Sequence, residues 1–147
     1  MFNLFATQGY TEFNLATPVL ANTDQSKLKM SFDFASALRK TVPGNLPFTF
    51  PDDVFRIYVS TTGGMSYTLF EEHSLSLNAP FNTGGFVQMA AFTPVATQWI
   101  THETVLPEGT NRVLFKIFRP EGNAAGSNHS YLDNVNFETC NTATPEG

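Results

Sequence analysis

Apolar residues along this chain recur mainly at every second position, the period of a β-strand and not the wider spacing of a helix. In "KLKMSFDF" Leu28, Met30, Phe32 and Phe34 fall on one side, and Lys27, Lys29, Ser31 and Asp33 on the other. The surrounding "DQSKLKMSFDFASALRK" is the nearest thing to a helical stretch, yet its alternating aromatics predict a strand. The same alternation marks "VFRIYVST", with Phe55, Ile57 and Val59 inward and Arg56 and Tyr58 outward, and "SYTLFEE" follows as its partner. Between them "TTGGMS" carries Gly63-Gly64, which supply the positive φ of a hairpin turn. Further strands are predicted at "FNLATPVL", where Pro18 suggests an edge or a strand start, and at "WITHETVL", "RVLFKIFR" and "YLDNVNFET". "GNLPFTFPDD", "PEGTN", "PEGNAAGSNHS" and the irregular beginning of 78–98 read as loops and turns. Roughly seven to nine short strands, with little or no helix between them, predict an all-β antiparallel jelly-roll sandwich.

One strand breaks its own pattern. In "SYLDNVNF" strict alternation puts Tyr131, Asp133, Val135 and Phe137 on the more apolar face. A carboxylate there is expected to be buried and ionised, because an unpaired buried charge is costly. Two kinds of partner could hold Asp133. One is a structural calcium ion, which takes six to eight oxygens, with Asp33, Asp52 and Asp53 as further donors in the chain. The other is a set of backbone amides or an arginine such as Arg112 or Arg119.

Composition narrows the class. A chain of 147 residues suits one domain, and 41% hydrophobic residues with fifteen Phe supply a core. Charged residues are only 14%, against about 25% in typical soluble domains. Asn, Thr and Ser carry the polarity instead, which points to an extracellular β-rich protein. The net charge of -5 and the lack of a basic patch beyond Arg39-Lys40 argue against nucleic acid. No apolar run reaches the ~20 residues of a membrane-spanning helix. Met1 is followed at once by "FNLFA" with no basic leader, so an exported protein would contain this chain as a piece with flanking domains. The single Cys140 has no internal disulfide partner; it opens "CNTATPEG", read as a linker stub over 140–147 behind a module over 1–139.

Six segments in order, "LATPVL", "LKMSFDFA", "DDVFRIYVSTTGGMSYTLFEE", "FTPVATQWITHETVL", "RVLFKIFRPEGN" and "SYLDNVNF", carry a family resemblance. Together they resemble a jelly-roll accessory domain of large secreted bacterial proteins that use type IX secretion. They are also similar to the cleaved-adhesin modules of gingipain-type proteases, and more distantly to MAM domains. The likeness covers about residues 13–138. It implies a secreted or cell-surface adhesin, sugar binder or spacer, with a Trp such as Trp99 as a packing residue at a strand start. Two features depart from the family: "TTGG" stands where its hairpin often carries Cys, and its opening strand with an acidic calcium-binding loop is not recognisable.

Catalytic patterns are not found. His73, His102 and His129 lie in separate segments without zinc-ligand spacing, and read as surface residues. Glu71-Glu72 reads as a solvated pair at a strand end, and "TTGGMS" lacks the Lys and helix of a phosphate loop. Cys140 has no base beside it in sequence. For sugar binding, an exposed ring flanked by hydrogen-bonding groups is needed. Tyr58 with Arg56 is one candidate and Trp99 another, each with a packing role as its alternative. "NHS" at 128–130 fits a glycosylation acceptor by pattern alone. The expected function is a non-catalytic extracellular module that binds a glycan or a cell-surface protein. A ligand-free structural spacer is the first alternative, and a small hydrolase ranks last.

Overall fold

In the computed structural model the chain is all-β, and residues 1–3, 11–21, 26–39, 53–85, 87, 90–119 and 127–140 are described. The elements are β1 (Phe2–Asn3), β2 (Thr11–Ala16), β3 (Leu28–Leu38), β4 (Val54–Ser60), β5 (Thr68–Ser74), β6 (Ile100–Val105), β7 (Arg112–Arg119) and β8 (Ser127–Thr139). Among the described residues the only helical element is a 3-10 turn at Ala96–Gln98. Two four-stranded antiparallel sheets result, ordered β1-β8-β3-β6 and β2-β7-β4-β5. Asp52 and 141–147 of the expected linker lie outside the described residues. Cys140 itself stays attached to the sheet, donating its N–H to Lys27 O at 2.9 Å.

The predicted alternation builds the core. Met30, Phe32 and Phe34 of β3 face Phe55, Ile57 and Val59 of β4 and Val113, Phe115 and Ile117 of β7, nearly all fully buried. Phe34 stacks on Phe55 at 4.6 Å between centroids, while Phe32 meets Phe55 and Phe115 edge-on at 5.9 and 5.6 Å. Such geometries suit the quadrupoles of aromatic rings. The β4–β5 hairpin closes around Gly63 (φ 69) and Gly64 (φ 99), as its turn residues predicted. A Cβ on Gly64 would also come within 2.8 Å of the Arg112 guanidinium, which pins the turn by donating to Gly63 O and Thr17 O.

The outer face of the first sheet carries a small second core. Ala35, Ala37 and Phe92 are buried together there, with Val87, Trp99 and Tyr131 packed around them. The chain between β5 and β6 reaches this face by taking over the edge of β3 beyond β6. Thr83 and Gly84 donate to Ser36 O, Leu38 donates to Gly85 O, and Val87 donates to Leu38 O. Gly84 lies so near Phe92 that a Cβ would stand 2.5 Å from its ring. Asn128 is fully buried and anchors the segment, accepting from Phe92 N–H and donating to Val87 O and Ala90 O. Ser127–Ser130, read from sequence as loop, therefore begin β8, and Asn128 is not displayed for glycosylation.

β8 also corrects the expectation of a buried Asp133. The β3–β8 register runs Ser31↔Asn136 and then Asp33↔Asp133, so β8 holds one residue more than its partner. Asn134 sits at φ 51 in this bulge, a conformation that Asn tolerates better than most residues. The extra residue switches the phase of the strand. Leu132, Val135 and Phe137 pack on the core, and Asp133 is exposed on the outer face opposite Asp33. Among the described residues the fully buried carboxylate is Asp53. It is fully buried with Arg119, which donates from Nε to Oδ1 at 3.1 Å and from Nη2 to Oδ2 at 3.0 Å.

Candidate functional site

Arg56 and Tyr58 lie on the outer face of the second sheet, as their phase in β4 predicts. Arg56 Nε is 2.5 Å from Glu72 Oε2 across the hairpin, and Nη1 donates to the Tyr58 hydroxyl at 3.3 Å. Its guanidinium also lies over the Phe118 ring, 4.5 Å from the centroid. Lys116 Nζ stands 5.4 Å over the Tyr58 ring and 3.5 Å from Glu12 Oε2. The face thus combines two cations, two carboxylates and two aromatic rings in one cross-strand network. All four of Arg56, Tyr58, Lys116 and Phe118 are half-buried.

Trp99 is placed elsewhere, at the start of β6 beyond the 3-10 turn. It is half-buried and meets Tyr131 edge-on at 6.1 Å, within the small outer core. Asp133 accepts the Asn134 N–H at 2.8 Å inside the bulge. Opposite it, Asp33 accepts from Asn134 Nδ2 at 2.7 Å and from Thr101 Oγ1 at 2.6 Å. The Asn134 and Thr101 hydrogen bonds hold the Asp33 carboxyl below its ordinary value.

A second group of polar side chains converges where the two sheets meet at one edge. β5 and β6 are edge strands of different sheets and lie on the same side of the sandwich. His73 pairs with the inward Phe55, Glu71 with the inward Ile57, and His102 with the inward Phe32. The phase of β5 depends on a register shift between Ile57 and Tyr58, which turns Glu71 and His73 towards the interior. Glu71 Oε1 is 2.8 Å from Nε2 of both His73 and His102. A carboxylate only accepts, so each ring presents a protonated Nε2 to it.

Aromatic rings fix this arrangement. Phe81 stacks on the His73 ring at 3.9 Å and meets His102 edge-on at 5.3 Å, while Phe32 lies 5.4 Å from His102. Burial pushes the Glu71 carboxyl up, but hydrogen bonds from Thr104, His73 and His102 outweigh it and hold the group below its ordinary value. The three side chains remain 19–25% exposed, so the group opens to solvent on one side. Among the described residues, Glu71, His73 and His102 are the group of three potential metal ligands, with ligand atoms all within 4.8 Å of one another.

Sequence spacing hides this cluster, because Glu71 and His102 are separated by 31 positions and carry no shared motif. One signal was present. Ile100 and Leu106 are the apolar members of their alternating set in "WITHETVL", and His102 and Thr104 share that phase. No protein-family profile matches the chain, and no curated protein matches it.

Proposed function

We propose that the protein is a non-catalytic jelly-roll module that acts outside the cell and binds a glycan through the outer face of its second sheet. The jelly-roll reading is supported by the pairing of β1 with β8, β2 with β7, β3 with β6 and β4 with β5. That pattern is what two nested Greek keys produce. The resemblance to secreted type IX accessory domains and the low charge content support an exported parent protein with flanking domains.

The observation that carries the binding reading is the Arg56–Tyr58–Lys116–Glu72 network. A phenol, a guanidinium, an ammonium and a carboxylate on one sheet face offer donors and acceptors for sugar hydroxyls beside an apolar ring. One feature favours the spacer instead: Lys116 stands over the Tyr58 ring and Arg56 over Phe118, so the face already satisfies itself. A glycan array on the domain separates the two. Binding that is lost in both Tyr58→Ala and Arg56→Ala, with the fold retained, supports the glycan reading. No binding to any glycan, or binding unchanged in both variants, supports the spacer or a different face.

A further inference from the structure

Calcium is the ion that the sequence suggests, at Asp133, but the donor set at the β5–β6 edge has different chemistry. Two imidazole nitrogens and one carboxylate oxygen make a set that suits zinc and the other divalent transition ions. Calcium and magnesium prefer all-oxygen shells. We propose that Glu71, His73 and His102 form a site for one divalent transition-metal ion of the zinc class, which ties the edge strands of the two sheets together and keeps a coordination position towards solvent.

Two of the three ligand-atom spacings are already near those of a bound ion. Ligand atoms of a tetrahedral zinc ion, each at about 2.0–2.1 Å, lie ~3.4 Å apart. Glu71 Oε1 is now 2.8 Å from each Nε2, and the three atoms fall within 4.8 Å. Inserting an ion therefore asks the carboxylate to withdraw by roughly half an ångström from each ring, and the rings to bring their two nitrogens to the same spacing. Each ring must free the Nε2 lone pair. A neutral imidazole does so by carrying its proton on Nδ1 instead, and a charged one by releasing a proton to solvent.

The surroundings are those of a supported ligand set. Phe81 holds the His73 ring by stacking, and Phe32 and Phe55 close the inner side. Thr104 hydrogen-bonds Glu71 from the strand that carries His102. Such outer contacts orient ligands and sustain affinity. Strands β5 and β6 lie at the edges of different sheets and are not paired with each other, so an ion here links the two sheets directly. Its ligands are partly exposed, so water or an external donor completes the shell.

The test uses chelator-treated protein in a Cys140→Ser background, since a free thiol also takes zinc. Calorimetric titration with Zn²⁺ is expected to show one site per chain, and the melting temperature should rise with Zn²⁺ or Co²⁺ but not with Mg²⁺ or Ca²⁺. His73→Gln and His102→Gln should each weaken Zn²⁺ binding by at least about tenfold. Because either variant could fold poorly, ¹⁵N-histidine spectra of the unsubstituted rings decide independently. Zn²⁺ should shift Nε2 of His73 and His102 and leave His129 unmoved. Absence of stoichiometric binding overturns the proposal and leaves the cluster a hydrogen-bonded clasp. So does binding that moves His129 while His73 and His102 keep their metal-free spectra.

Discussion

Asp53 and Glu71 are both carboxylates drawn in from the surface of the same sandwich, yet they are held in opposite ways. Asp53 is sealed, with no exposure, and its two carboxylate oxygens accept from Arg119 as a parallel bidentate pair. The guanidinium is permanently charged and matched in shape to the carboxylate. Glu71 remains 19% exposed, and a single oxygen serves two imidazoles that can lose or move their protons. The first arrangement leaves no site for an incoming group. The second holds two lone-pair donors and an anion around a point that solvent can reach. Burial and partner chemistry together, and not the carboxylate itself, separate a group that stabilises the fold from one that can hold a ligand.

Substitutions should sharpen this contrast in a definite order. The largest effect is expected for Asp53→Ala, which leaves the fully buried Arg119 without its carboxylate. Breaking a buried ion pair from one side costs about 3–5 kcal/mol. Denaturant unfolding should show that loss, and a value below about 1 kcal/mol would mean that Asp53 is hydrated in solution. Glu71→Ala in metal-free protein comes next. It removes the acceptor from two half-buried imidazoles, for an expected loss of about 1–3 kcal/mol by the same measurement. A loss as large as that of Asp53→Ala would erase the distinction between sealed and open.

The smallest effect concerns Asp33, on the outer face of the first sheet. Hydrogen bonds from Asn134 and Thr101 depress its folded-state pKa. The folded state therefore binds fewer protons than the unfolded chain in acid, so this contribution is present above the ordinary carboxylate range. It is lost as pH falls through the depressed folded value. The stability difference between the wild type and Asp33→Asn should accordingly shrink as pH is lowered below that range. A difference that stays constant with pH would show that the two hydrogen bonds do not persist in solution.

How much of this was legible in the sequence follows from how local each feature is. β3, β4 and β7 were visible because Leu28, Met30, Phe32 and Phe34, and their counterparts in "VFRIYVST" and "RVLFKIFR", alternate without interruption. The hairpin was visible because Gly63-Gly64 stands between two such runs. Bulges were not, because each adds a single residue and reverses every side chain beyond it. One at Asn134 put Asp133 outside, and the shift beside Ile57 put Glu71 and His73 inside. The Asp-Asn pair at 133–134 was the available hint, since both residues tolerate the left-handed region. The Glu71–His73–His102 cluster was still less accessible. It depends on two edge strands of different sheets meeting in space, a relation that no spacing along the chain encodes.

The measurement that bears most directly on the open edge is an anomalous difference map from crystals grown with Zn²⁺, collected at the zinc absorption edge. One peak is predicted between β5 and β6, about 2.0–2.1 Å from Nε2 of His73 and His102 and within ~2.2 Å of a Glu71 oxygen. A map without density there, with Glu71 still bridging both imidazoles, would contradict the account.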